Sequence, residues 1–425
     1  MLVRLPYGHS GLTLELPGDC TDILLPTPAP SLEDDYGAFL HAISHPTGTP
    51  PLAALARMAR RACIVISDMT RPTPNHRLVP WLLRQLQDAG CSRVTVLVGT
   101  GSHQPHTPGQ CQELVQAVPD TWELVSHDAY DGSSLVKVGE TSLGPVWLNR
   151  AWVEADLRLV TGFIEPHFFA GYSGGGKGIM PGVAGIDTIL NFHSARLIGD
   201  PATTWLQLSG NPTQEAVVEA VKLCPPHFLV NVTLDDQRAI TGLFAGHWQQ
   251  AHAAGTAFCE EHATVTAPSA YPVVVVTNGG HPLDQNLYQT VKGMSAAARI
   301  TRAGGSIVVA SSCASGIPDH GNFRNLLWEH DDPRRFLQSL PPGPAGHDQW
   351  QAQVLAKIVA AFPVYLYSQL AHAVARRCWL HPVDDLERLI PSLLAPYGPG
   401  ARVAVLPRGP LAVPHLSGSQ LSRPK

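Results

Sequence analysis

Short apolar runs rich in β-branched residues recur along the chain, separated by stretches long enough for a helix. Cys63–Ser67, Arg93–Val98 and Leu157–Val160 each read as a buried strand. Between the first two, Leu78, Trp81, Leu82 and Leu86 fall at helical spacing and predict a helix over Leu78–Ala89. Strand, loop, helix, strand is the order of a parallel α/β sheet. Tyr271–Thr277, Ser306–Ala310, Pro363–Tyr367 and Arg402–Leu406 repeat the theme, and His227–Leu234 with Ala239–Phe244 predict a hairpin or two adjacent strands. The pattern predicts two α/β domains with mostly parallel sheets. An Ala-rich stretch over 249–268 sets the expected division, with 1–268 as the N-terminal domain and 269–399 as the C-terminal domain. The tail, 400–425, is expected to pack back on the first domain and to fray from about Leu416.

A chain of 425 residues suits two or three domains, and 44% hydrophobic against 15% charged residues suits large cores. The net charge of −5 provides no basic excess to neutralise phosphates, which argues against a nucleic-acid partner. No run approaches the roughly 18 apolar residues a membrane span needs, and Pro6 and Gly8 interrupt any leader-like start. Eight cysteines without a C-x-x-C pair read as reduced thiols of a cytoplasmic protein. Twenty histidines direct attention to acid–base or metal chemistry.

Each of the first three strands runs into a polar or glycine-rich loop: Ser67–Pro74, Gly99–Pro105 and Thr161–His167. Ligands of open α/β sheets sit beyond the carboxyl ends of strands, so three such loops would converge on one crevice. The alternative is three ordinary solvated connections. In the first loop, the planar fork of Arg71 matches a carboxylate, or else pairs with Asp68 three residues earlier. His103 and His167, on the other two, can exchange a proton near neutral pH, since an unperturbed imidazole titrates near ~6.5.

Gly171–Gly178 contains G-x-x-x-x-G-K, but Gly178 stands where a P-loop needs Ser or Thr, and no apolar strand immediately precedes it. That rejects an ATPase and leaves a physical point: the amides of Gly174, Gly175 and Gly176 can approach an anion, while Lys177 adds a charge or a nucleophilic amine. Gly99-Thr-Gly101 lacks the third glycine of a dinucleotide fingerprint, because Gln104 takes its place. Ile186, Ile189, Leu190, His193 and Leu197 form one helical stripe that turns His193 inward, either as a hydrogen-bonded core residue or as a metal ligand. Further on, Tyr288 and Lys292 share a helix face with Gln289 beside them, a set able to hold a hydroxy-carboxylate or to be an exposed helix start. Trp350 either packs or stacks on a flat cationic ring.

With these motifs in place, the chain resembles the nickel-dependent lactate racemase family. The carrying segments are Asp68-Met-Thr-Arg-Pro-Thr-Pro74, Gly99-Thr-Gly-Ser-His-Gln-Pro105, Glu165-Pro-His-Phe-Phe-Ala-Gly-Tyr-Ser-Gly-Gly-Gly-Lys177, Asn191-Phe-His193, Asp284-Gln-Asn-Leu-Tyr-Gln-Thr-Val-Lys-Gly293 and Asp348-Gln-Trp350. The resemblance implies a two-domain enzyme with its site in the interdomain cleft. It implies racemisation of a 2-hydroxy acid, lactate first, by reversible hydride transfer to a nickel-pincer nucleotide. In that reading His103 and His167 are the acid–base pair, and Arg71, Tyr288, Gln289 and Lys292 contact substrate. His193 is the protein's nickel ligand. Lys177, to which the cofactor can be covalently joined, lies with Asp68, Gly174, Gly175, Gly176 and Trp350 around the cofactor. Cofactor-assembly enzymes are the implied partners. Two alternatives stand beside it: a larger or more acidic hydroxy acid as substrate, and a phosphate- or nucleotide-binding protein without redox chemistry.

Overall fold

Apolar runs that do not alternate with polar residues belong to strands covered on both faces, and here they build two six-stranded sheets. A computed structural model describes residues 1–116, 122–318 and 321–418. In chain order the sheet strands are β1 (Thr21–Ile23), β2 (Arg61–Ser67), β3 (Arg93–Gly99), β4 (Glu123–Ser126), β5 (Leu157–Phe163) and β6 (Phe228–Leu234). They continue as β7 (Ile240–Gly246), β8 (Tyr271–Thr277), β9 (Thr301–Ala310), β10 (Val364–Tyr367), β11 (His381–Pro382) and β12 (Val403–Leu406). The first sheet has the order β7-β6-β5-β2-β3-β4 and is parallel except for the β6–β7 hairpin. The second, β11-β10-β9-β8-β12-β1, is parallel throughout.

Five helices matter for the site: α1 (Asn75–Asp88), α2 (Ile186–Phe192), α3 (Trp248–Ala263), α4 (Leu287–Ala298) and α5 (Gln349–Ala361). Apolar clusters cover both faces of each sheet. A further cluster takes Phe168, Phe169, Ile198 and Trp205 from the first half and Ala296, Ala345 and Trp350 from the second. Polar contacts cross the same junction: Ala345 N donates to Leu190 O at 2.9 Å, Gln353 Nε2 to Ala195 O at 2.9 Å, and Trp205 Nε1 to Ser295 Oγ at 3.0 Å. Among the described residues no helix is long and apolar enough to cross a membrane.

Three details depart from the expected layout. The N-terminus does not join the first sheet: β1 pairs with β12 in the second, and the hairpin Leu2–Leu5/Leu12–Glu15 buries Val3, Leu5, Leu14 and Leu16 against it. β12 exposes an edge that only a strand reaching across the chain can cover, and no local periodicity encodes that pairing. The tail also divides. Val403–Leu406 lies inside the second sheet, while Val413–Leu416 runs parallel to Thr264–Ala267, and residues 419–425 lie outside the described residues. Finally, the helical stripe through His193 is broken. α2 ends at Phe192, His193 caps it, and a new helix starts at Ala195.

Trp152 anchors the packing under β2, β3 and β5; it is 0% exposed and its Nε1 donates to Cys224 O at 3.1 Å. Trp152→Ala leaves both a cavity and an unsatisfied carbonyl, so a loss of about 3–5 kcal/mol is expected, read as a lower urea midpoint.

Candidate functional site

The strand order of the first sheet turns back on itself between β2 and β5, and loops leaving such a point diverge into a crevice. The loop after β2 carries Asp68 and Arg71, the one after β3 carries His103, and the one after β5 carries Glu165 and His167. Asp68 is 3% exposed while the His103 side chain is 50% exposed, a buried carboxylate under an open imidazole. His103 Nδ1 lies 2.6 Å from Asp68 Oδ2, and Thr70 donates its amide and hydroxyl to Asp68 Oδ1 at 3.2 and 2.6 Å. Burial by itself would raise the Asp68 carboxyl. The His103 hydrogen bond and charge, with Thr70 and Arg71, outweigh that and hold it below the usual carboxylate range. Ionised Asp68 accepts a hydrogen bond from His103 Nδ1, which keeps the ring proton on that nitrogen and leaves Nε2 with the lone pair.

His167 is held the opposite way. It sits in the short ladder Pro166–His167/Gly171–Tyr172, and its Nδ1 accepts the amides of Phe169 and Ala170 at 3.5 and 3.3 Å. A neutral ring so held carries its proton on Nε2. Burial pushes His167 well below 6.5, and Lys177, Lys292 and Arg71 push it the same way, so it is uncharged at neutral pH. One imidazole therefore offers a lone pair and the other an N–H.

The glycine loop follows at once. Gly174 and Gly175 have φ of +74° and +57°, backbone that favours glycine. A Cβ on Gly175 would fall 2.7 Å from the His252 ring of α3, and one on Gly174 would fall 2.6 Å from Asn231 Oδ1 of β6. The Gly175 amide donates to Asn231 Oδ1 at 2.8 Å, and His252 Nε2 is 2.9 Å from Ser173 O. Gly175 thus shapes the loop and does not hold its amide out to an anion, which corrects the simple picture of a row of free glycine amides. Gly176 is buried against Trp248 and Val221. Lys177 rises from this turn with Nζ 5.4 Å from the Phe169 ring centre. Burial first, then Arg71 and Lys292, lower its amine to about 7, with Glu165 pulling the other way.

His193 stands at the end of α2, 9% exposed. Its Nδ1 is 2.8 Å from Ile189 O, so that nitrogen carries the proton and Nε2 is the lone pair. Burial lowers it to about 4, well below neutrality. The Trp350 ring packs at 4.5 Å and 44° from it, and Phe169 meets it edge-on at 5.7 Å. Among the described residues no group of three or more His, Cys, Asp and Glu could hold a metal ion.

From the second half, Asn286 caps α4 by accepting the Gln289 amide at 3.0 Å, which sets Tyr288, Gln289 and Lys292 on its first turns. Gln351 of α5 donates to the Tyr288 carbonyl. Burial raises the Tyr288 hydroxyl, with the Asp348 charge adding to it, and keeps the phenol protonated. Lys292 falls to about 8 through burial and then Arg71, opposed by Glu165. Asp284, at the head of this motif, is not the cap; it is fully buried and accepts Gly8 N and Ser312 N at 2.7 and 3.0 Å.

The electrostatic picture is a half-buried recess in which His167, Arg71, Lys177, Lys292 and Glu165 sense one another. His103 joins that group through Asp68, which also senses Arg71. Glu165 carries no role in the sequence reading although it opens the segment that runs to Lys177. Burial raises its carboxyl against the pull of Lys292, Arg71 and Lys177. His252 and Asn231 also escape that reading: each is a lone polar residue in an otherwise apolar element, and only the glycine loop above them gives the pattern meaning.

Two mostly parallel α/β sheets, with a buried junction of apolar residues between their halves and His167, Arg71, Lys177 and Lys292 sensing one another, are the architecture of an α/β enzyme. Residues 7–205 match the lactate racemase N-terminal domain, and residues 266–413 match the lactate racemase C-terminal domain. The chain belongs to the lactate racemase family. The lactate racemase of Lactiplantibacillus plantarum is 36% identical over 378 residues, covering 87% of this chain and 88% of the relative. That of Thermoanaerobacterium thermosaccharolyticum is 33% identical over 423 residues, covering 96% and 97%. The structure of the lactate racemase apoprotein from the latter organism superposes with a TM-score of 0.91 at 31% identity, over 98% of this chain and 100% of that one. A Thermotoga maritima protein shares the fold alone, at a TM-score of 0.65 and 16% identity.

An amine-acylating reagent followed by peptide mass spectrometry should modify Lys177 of the apoprotein with a midpoint near pH 7, against ~10.4 for an ordinary lysine. The unfolded lysine keeps its proton up to that higher value, so this residue makes stability rise with pH between the two. Lys177→Met should remove its share of that slope in pH-dependent thermal melts.

Proposed function

We propose that the protein interconverts the two enantiomers of lactate, with His103 and His167 as its acid–base pair. The observation that carries this is the opposed setting of the two rings. His103 is oriented by Asp68 to accept a proton, and His167 is held by backbone amides so that its Nε2–H is turned out as a hydrogen-bond donor. One imidazole removes the hydroxyl proton as the α-carbon becomes planar. The other, once it has taken a proton from water to become an imidazolium, returns a proton to the same oxygen when the tetrahedral centre is rebuilt from the opposite face, and the first ring gives its own proton back to water. Arg71 and Lys292 supply charge for the carboxylate, so the planar form keeps its place while its two faces exchange roles. Tyr288 and Gln289 add a phenol and an amide on the same helix turn. The packed junction around Phe168, Phe169 and Trp205 keeps water from the reacting centre.

The residues present fit a nickel-pincer nucleotide. A lone neutral imidazole holds a free metal ion weakly, but it suits the last ligand of a metal whose other donors arrive with a cofactor. Lys177, with its amine lowered to about 7, is uncharged often enough to act as a nucleophile toward a cofactor carboxyl derivative. Trp350, packed against His193, offers a flat aromatic wall. When bound, the group would supply a reversible two-electron acceptor for the α-carbon. Cofactor-assembly enzymes are the partners this reading requires.

The test is chiral analysis of lactate after incubation with protein made alongside those enzymes, with metal analysis of the same sample. Conversion of either enantiomer with bound nickel is expected; nickel-loaded protein that leaves both enantiomers untouched would overturn the reading. Enantiomers have equal free energies, so kcat/KM must match in the two directions, while kcat and KM can differ separately. His103→Ala and His167→Ala should each cut turnover by at least about 10²–10⁴-fold with nickel retained. His193→Ala should lose the metal itself. Asp68→Asn should slow turnover by presenting His103 in the wrong tautomer.

A further inference from the structure

The loop that carries Lys177 is built from the residues least able to fix it. Gly174, Gly175 and Gly176 precede the lysine, and glycine is the most permissive residue in backbone conformation. Yet the amine sits at one place, over the Phe169 ring, in a recess dense with other charges. The loop's own turn ties Lys177 N to Gly174 O at 3.1 Å, so the place of the lysine depends on what holds Gly174 and its neighbours. Two buried polar side chains on different elements reach up to its floor. His252 of α3 is 5% exposed and its Nε2 lies 2.9 Å from Ser173 O. Asn231 of β6 is 0% exposed and its Oδ1 accepts the Gly175 amide at 2.8 Å. The two contacts bracket Gly174, one on each side, and end two residues before Lys177. They are also in contact with the glycines themselves, since a Cβ on Gly175 would enter the His252 ring and one on Gly174 would meet Asn231.

We propose that His252 and Asn231 are positioning residues that fix the Lys177 amine in the recess by pinning the glycine loop from beneath. The pinning needs a proton on Nε2, because only an N–H can satisfy the Ser173 carbonyl. Burial keeps the ring uncharged, well below its ordinary titration range, and the nearby lysine adds to the effect. Neither residue touches the reacting atoms; both act through Lys177. The inference builds on the reading of Lys177 as the cofactor anchor but is tested without cofactor, so each can fail alone.

The experiment uses the full-length apoprotein and reads the pH midpoint of Lys177 acylation by peptide mass spectrometry. His252→Met keeps the volume and removes the donor; His252→Gln restores an N–H at nearly the same reach. The midpoint should rise from about 7 toward the ordinary lysine value in the Met variant, by one unit or more, and return close to 7 in the Gln variant. A Met variant with an unchanged midpoint overturns the proposal, and so does a Gln variant that behaves like Met. Should the Met protein fail to show a cooperative melt, Asn231→Leu carries the test through the other contact, and an unchanged midpoint there has the same consequence.

Discussion

Collecting Arg71, Lys177 and Lys292 around one recess is the constraint that the rest of the molecule serves. Like charges in poorly hydrated surroundings repel strongly, and the chain relieves this in two ways. It lets both lysines titrate low, to about 7 and about 8, and it places Glu165 among them as the opposing charge. Such a recess is unfavourable by itself and favourable for an anion, since an anion offsets the mutual repulsion of its cations. It can persist only on a rigid support. The parallel strands β2, β3 and β5, buried on both faces, supply it for the first half, and α4, capped by Asn286, supplies it for the second.

The interdomain junction does a second job. Trp350 and Phe169 enclose His193, while Ala345 is tied by its amide to Leu190 one turn before that histidine. Movement between the halves would therefore shift the His193 imidazole along with its aromatic wall. Tyr130 and His347 meet across the same opening, with the phenol oxygen 3.2 Å from Nε2. The two imidazoles owe their opposite settings to unlike partners, a carboxylate for His103 and backbone amides for His167.

Much was legible in the residues. Strands with unbroken apolar runs, such as Tyr271–Thr277, appear with the predicted bounds, and the predicted hairpin is the β6–β7 pair. Asp68, Arg71, His103 and His167 do follow three neighbouring strands of one sheet. Other features were hidden because their cause lies far off in the chain. Thr21–Ile23 is too short to announce a strand and exists because β12 has an edge to cover. His193 looks mid-helix by periodicity, yet its side chain bonds back to Ile189 O and ends the helix there. Gly175 reads as an anion binder until Asn231 claims its amide.

The sequence alone determined the fold class, the loops that carry chemistry and the kind of side chains on them, because periodicity and turn residues act over a few positions. Tertiary structure decided which nitrogen of each histidine holds the proton, how far each lysine is lowered, and which glycine amides remain free. Those properties depend on burial and on partners dozens to hundreds of residues away, and local sequence pattern carries neither.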